Sequence, residues 1–325
     1  MRVSMDRINE LIKNASSVAV IGHVRPDGDC VGSCLALQNY LKDTNPDLRT
    51  DVFLGAFSDV FRFLKGADEI RSDFETKETY DLCISLDASD LERLGEGRQI
   101  FEAAKRTVCL DHHVTNPGFA QTNHVEPDTS STSEVLFYLF DYDKISIAAA
   151  ECLYVGIIHD TGVFKHSNTT QRTMQAGGML IDKGINHSQI IDDTFYKKSY
   201  VQNQILGRAL MDSVVFLEKK CIFSVIKQKD MVFYGVNATD LDGIVDQLRI
   251  TEGIEVAIFL YEMEAHVYKV SMRSNHTVDV SRVASYFGGG GHKKAAGCTI
   301  TGSVYDVINN LSQQIVLQLP LESGS

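Results

Sequence analysis

Asp111, His112 and His113 follow one another at the end of the apolar run 106–110. A carboxylate and two imidazoles are costly neighbours for apolar side chains unless something positive sits among them. The same pattern, an apolar run followed by Asp or His and then by Gly or turn residues, occurs at three other places. His23, Asp27 and Asp29 follow 17–21, Asp87 follows 80–86, and His159, Asp160 and Gly162 follow 145–158. Any one of these is ordinary. Asp-Gly-Asp is usually a turn, and Asp87 before Ala88 and Ser89 would suit a helix N-cap. Four together point to one cluster. So many carboxylates cannot all ionise side by side unaided. Two divalent cations about 3.5–4 Å apart would neutralise them, an arrangement that serves phosphate ester hydrolysis. Aspartate and histidine without thiolate favour manganese or magnesium over structural zinc, and the imidazoles tilt the choice to Mn2+.

The elements that must hold such a cluster follow from periodicity. Apolar runs at 17–21, 49–54, 80–86 and 107–110 are short strands, and helical spacing covers 5–15, 31–41, 57–64 and 98–105. Near-continuous apolar strands alternating with helices imply an α/β domain, a parallel sheet with helices on both faces. In such a sheet ligands bind beyond the carboxyl ends of the strands, where His23, Asp27, Asp29, Asp87, Asp111, His112 and His113 all fall. Gly28 and Gly32 allow tight bends in the first of these loops. Helices are expected at 130–140, opened by the hydroxyls of Ser130 to Ser133 and by Glu134, at 145–159, and at 169–183 before Gly184. Asp160 ends a helix that returns to the same sheet edge.

The stretch 185–204 is polar and helical and reads as a linker. It separates a first domain, 1–184, from a smaller α+β domain, 205–325. There the strands are expected at 221–226, 231–236, 254–261 and 266–272, and the helices at 238–248, 280–287 and 304–318. This second half holds a basic segment: 265–300 carries Lys269, Arg273, Arg282, Lys293 and Lys294 against Asp279. Arg273 ends a strand and can clamp a phosphate bidentately. Gly288, Gly289, Gly290 and Gly291, followed by His292, would let backbone amides approach an anion closely. Lys293 and Lys294 are as readily solvated surface charges. An acid cluster in one half and a basic segment in the other suit a metal at the first and a substrate phosphate at the second.

Composition sets outer bounds. The chain has 325 residues, room for two cores, with 44% hydrophobic and 23% charged residues, as in ordinary globular proteins. No apolar run reaches membrane-spanning length, and the polar first ten residues show no leader. Seven cysteines with no CxxC pair read as small core residues in a reducing compartment. Together these predict a cytoplasmic protein. A net charge of −12 argues against wrapping long duplex nucleic acid but not against a short anionic ligand.

His23, Asp27, Gly28, Asp29, Gly32 and Ser33, then Asp87, then Asp111-His112-His113, then Asp160-Thr161-Gly162 resemble the DHH phosphoesterase superfamily. The run from Gly288 to Gly297 resembles its DHHA1 domain, and together the motifs cover nearly the whole chain. Length and the two-domain plan are similar to the oligoribonuclease/pAp-phosphatase (NrnA-like) subgroup. The resemblance implies one Mn2+ held by His23, Asp27 and Asp87 and another by Asp29, Asp87, His112 and Asp160, with Asp87 bridging. It implies a water activated between them, His113 touching the phosphate and assisting the leaving oxygen, and Asp111 orienting a ligand imidazole. His159 departs from the pattern and is expected to be a bystander pointing away. Implied substrates are short single-stranded RNA, dinucleotides, and 3′-phosphoadenosine 5′-phosphate (pAp). A dedicated cyclic or linear dinucleotide phosphodiesterase and a non-catalytic nucleotide sensor are the competing readings. Whether the chain forms a homodimer stays open.

Overall fold

A computed structural model describes residues 5–76 and 78–319. The first four residues, on which the reading of no leader partly rests, lie outside these. No described helix is long and apolar enough to cross a membrane. The chain divides into two compact units between Lys197 and Lys198.

The first unit is built on five parallel strands: β1 (Ser17–Ile21), β2 (Arg49–Phe53), β3 (Leu82–Leu86), β4 (Arg106–Asp111) and β5 (Thr122–Val125). Around them stand α1 (Met5–Lys13), α2 (Gly28–Thr44), α3 (Arg98–Ala103), α4 (Thr132–Leu139), α5 (Ile147–Thr161), α6 (Gln171–Asp182) and α7 (His187–Ile191). Side chains alternate along each strand. Val18, Val20, Leu82 and Ile84 enter one core with residues of α2, α4 and α5, while Ala19, Ile21 and Cys83 enter another with Ile100 and Phe101 of α3. Burial on both faces is why the strands read as continuous apolar runs. The strand order β2-β1-β3-β4-β5 makes the chain leave β1 toward one side and return to β3 on the other. The crevice above the carboxyl ends of β1 and β3 is therefore the switch point at which open α/β sheets bind ligands.

Gly28 and Gly32 do not make bends. Both lie inside α2, and each is small because something presses on it. A Cβ on Gly28 would stand 2.2 Å from Cγ of His159, and one on Gly32 would stand 2.6 Å from the Cys152 carbonyl oxygen of α5. Two backbones meeting this closely have no side chain to give way. Gly32→Ala is expected to cost about 1–3 kcal/mol by overpacking, read as a lower urea midpoint. An unchanged midpoint would show that α2 and α5 can part without loss.

The second unit contains α8 (Tyr200–Met211), β6 (Val214–Phe216), β7 (Cys221–Ile226), α9 (Gln228–Tyr234), α10 (Ile244–Arg249), β8 (Val256–Glu264), β9 (Val267–Ser274), α11 (Val280–Tyr286), β10 (Gly290–His292), β11 (Ala295–Thr301) and α12 (Val304–Val316). Its sheet runs β10-β11-β9-β8-β7-β6, and only β7 and β8 pair in parallel. One face packs on α11 and α12, the other on α8 and α10.

Several sequence expectations are corrected. The strand expected at 231–236 is the helix α9, closed by Gly235 in the left-handed conformation. Val232 and Phe233 are exposed there, so apolar character did not mean strand burial. The helix expected at 57–64 is a 3-10 turn, Asp59–Phe61. The one at 238–248 breaks at Gly243, which has positive φ. Strand β5 went unseen because Thr122, Asn123 and His124 are polar, although all are buried against β4. The stretch 185–204 is helical as expected, holding α7, a π-helical turn (Asp192–Tyr196) and the start of α8.

Candidate metal centre

The loop after β1 carries His23, and Asp27 then caps α2 by accepting from the amides of Asp29 and Cys30. That cap places Asp29 in the first turn of the helix, with no exposed surface. Asp87 leaves β3 with φ of +57°, a left-handed conformation that Asp tolerates better than most residues. Asp111 is the last residue of β4, with His112 and His113 just beyond. Asp160 sits in the last turn of α5, which Gly162 closes with positive φ. Because α5 packs along α2, its carboxyl end returns to the same edge.

The side chains meet there. His23 Nε2 lies 3.6 Å from Asp27 Oδ1 and 3.4 Å from Asp87 Oδ2. His112 Nε2 lies 3.6 Å from Asp87 Oδ1 and 3.2 Å from Asp160 Oδ2. Each ring has its Nδ1 against a backbone carbonyl, Val24 for His23 and Thr129 for His112. A carbonyl only accepts, so in the neutral ring Nδ1 carries the hydrogen and Nε2 offers its lone pair to the cluster. Donor atoms of Asp87, His112 and His113, and again of Asp29, His112 and Asp160, lie within 4.8 Å of one another.

Electrostatics show how these groups act on one another. Burial first, then the charges of Asp87 and Asp160, push the Asp29 carboxyl well up. Burial likewise raises Asp87, against its hydrogen bond from His23. Burial would lower the two imidazoles, but the carboxylates beside them win: His23 is raised, and His112 is pushed up to about 10. The imidazoles thus favour their protonated form where anionic oxygens crowd. Divalent cations fit this donor set, replacing those protons and neutralising the oxygens.

Asp111 and His113 pair with each other at the edge of this cluster. Asp111 Oδ1 is 2.7 Å from His113 Nδ1, and Asn116 Nδ2 donates to Oδ2 at 2.6 Å. Asp111 therefore holds the ring of His113, whose donor atom also lies within 4.8 Å of those of Asp87 and His112. His159 belongs to none of the donor groups: its ring lies over Gly28, with Phe61 at 5.0 Å and Phe195 at 5.4 Å. Cys30, read as a core thiol, is core-buried but also has Sγ within 4.8 Å of donor atoms of His23 and Asp87. Burial, then Cys34, raises its thiol well above the usual range. Sequence reasoning missed its nearness, and that of Asn116 and Thr132, because no local pattern marks them.

In the second unit Arg273 Nε donates to Asp246 Oδ1 of α10 at 3.0 Å. Gly288 to His292 is not an open loop throughout: residues 290–292 are the edge strand β10. Glycine is required where a Cβ on Gly289 would stand 2.2 Å from the Gly297 carbonyl oxygen and one on Gly291 2.5 Å from that of Ala295. Arg273 of β9 pairs with Ala295 of β11, which pairs with His292 of β10. Directly paired residues share a face, so Arg273 and His292 flank the small Ala295 on one side of the sheet.

The model of the DHH family, N-terminal domain, matches residues 17–157, and that of the DHHA1 domain matches residues 218–317. The chain is 28% identical over 302 residues to the bifunctional oligoribonuclease and PAP phosphatase NrnA of Bacillus subtilis, covering 90% of this chain and 92% of that one. To the protein of the same name in Thermus thermophilus it is 30% identical over 304 residues, covering 92% and 89%. Its fold is similar to the crystal structure of an exopolyphosphatase-related protein from Bacteroides fragilis, with a TM-score of 0.85 and 25% identity over 96% and 95% of the two chains.

Proposed function

The chain belongs to the DHH phosphoesterase family and carries a DHHA1 domain, and from this we propose that it hydrolyses short RNA oligonucleotides and dinucleotides to mononucleotides, and pAp to AMP and phosphate. The observation that carries the reading is Asp87, whose two oxygens lie 3.4 Å from His23 and 3.6 Å from His112 and so reach both donor sets. His23, Asp27 and Asp87 would hold one cation, and Asp29, Asp87, His112 and Asp160 the other; we take both to be Mn2+, as mixed imidazole and carboxylate donors suit it. Bound there, divalent cations supply charge stabilisation at phosphoryl oxygens and lower the pKa of a water.

The remaining work falls to the chain's own groups. Asp111, itself held by Asn116, fixes the ring of His113, which is 38% exposed and free to meet a phosphate or leaving oxygen. Asp27, 61% exposed, stands at the open side of the cluster. Arg273, steadied by Asp246, would grip a substrate phosphate with His292 and the backbone of Gly288 to Gly291. Such a grip favours short strands over long duplex. Arg273→Ala is expected to raise KM about tenfold with little change in kcat; substrate binding equal to that of the parent would remove Arg273 from the grip. We place the enzyme in the cytoplasm.

The function is tested with metal-stripped protein given Mn2+ and three substrates side by side: a short RNA, a linear dinucleotide and pAp. Mononucleotides from the first two and AMP with phosphate from the third are expected. Mn2+ binding with no cleavage would count against hydrolysis of these substrates and favour the nucleotide-sensor reading.

A further inference from the structure

The first turn of α4 is far in sequence from the metal-ligand motifs, yet it touches two of the carboxylates. The Thr132 amide donates to Asp29 Oδ2 at 2.6 Å, and the Ser133 amide donates to Asp29 Oδ1 at 2.9 Å. The Thr132 hydroxyl donates to Asp87 Oδ1 at 3.1 Å. Thr132 is wholly buried, so no water competes for either contact. The turn is itself held: Ser131 caps it, and Glu134 Oε2 accepts from the Ser130 amide, the Ser130 hydroxyl and the Thr173 hydroxyl of α6. Gly156 of α5 leaves the space it needs, since a Cβ there would stand 1.9 Å from Ser133 Oγ and 2.5 Å from Asp29 Oδ1.

We propose that this turn is a carboxylate clamp, with Thr132 the positioning residue that sets Asp29 and Asp87 at the spacing the cation pair requires. The inference rests on the metal-dependent reading above. Asp29 comes from the first turn of α2 and Asp87 from the end of β3. The Thr132 amide and hydroxyl join them through one residue. Each oxygen so held keeps a lone pair for a cation, because a carboxylate oxygen accepts more than one bond. Donors behind metal ligands fix their direction, and removing one weakens metal binding by about 10–100-fold.

The test measures Mn2+ binding to metal-stripped protein, from the electron paramagnetic resonance of free Mn2+, with thermal unfolding of the metal-free form and kcat on a dinucleotide at saturating Mn2+. Thr132→Val keeps the shape and the amide and removes only the hydroxyl. It is expected to weaken Mn2+ binding about tenfold, with the metal-free chain still unfolding cooperatively and at most moderately less stable. Thr132→Ser is expected to restore parent affinity, which a purely structural role for the side chain would not predict. Thr132→Ala must show the same loss, should the valine variant fold poorly. Parent-like Mn2+ affinity in Thr132→Val and Thr132→Ala would overturn the clamp and leave the function standing. A parent protein that binds no Mn2+ would overturn the metal-dependent reading itself, and the clamp with it.

Discussion

Asp87→Asn is expected to lower hydrolysis of short RNA by at least about a thousandfold while leaving the metal-free chain as stable as the parent or more so. Activity falls because, among the described residues, only Asp87 reaches both His23 and His112, and an amide is a poor ligand for a second cation. Stability holds for the opposite reason. Burial, with Asp160 and Asp27 nearby, raises the Asp87 carboxyl pKa, which means the folded chain disfavours the charged form. Asparagine removes that charge, keeps an oxygen to accept from Thr132, and tolerates the positive φ at this position. Alanine would confound the result with backbone strain. Cleavage assays on the parent and variant, paired with thermal unfolding without metal, decide the matter. A variant that still cuts RNA at near-parent rate would remove Asp87 from the centre of the mechanism.

Adding Mn2+ to the metal-free chain should raise the unfolding temperature of the first unit by about 10 °C when the metal is about 1,000-fold above its dissociation constant, which corresponds to about 4 kcal/mol. The donor groups are preformed but mutually repulsive, so the folded state gains what the unfolded chain, with its ligands dispersed, cannot. In Asp87→Asn the gain should shrink sharply, so metal reverses the stability order of parent and variant. Differential scanning calorimetry with and without Mn2+ checks this. An equal rise in both proteins would place the stabilising cation elsewhere.

The cluster of acids and imidazoles was legible in the chain because each of its members obeys a local rule. Acids and imidazoles at the ends of apolar runs stand out against their neighbours, and a parallel sheet gathers strand ends on one edge whatever the details of packing. His23, Asp27, Asp29, Asp87, Asp111, His112, His113 and Asp160 were therefore nameable as one cluster before any coordinates, as was the change of architecture in the second half; which of them would hold cations is what the family resemblance implies. The polar strand β5, the helix α9 with its exposed Val232 and Phe233, and the edge strand β10 hidden in a glycine run were not. In each, hydrophobic pattern and burial part company.

Sequence alone thus determined which groups compete for charge, since the cost of an ionisable side chain beside apolar ones is a property of neighbours along the chain. Tertiary structure decided how those groups are held. Asp111 took His113 as its partner, His159 turned onto Gly28, and Thr132 came to bridge Asp29 and Asp87 from 103 and 45 residues away. A single hydrogen bond between distant residues leaves no periodicity and no run for a sequence to display. It exists only where packing has already brought a donor to an acceptor and shut water out.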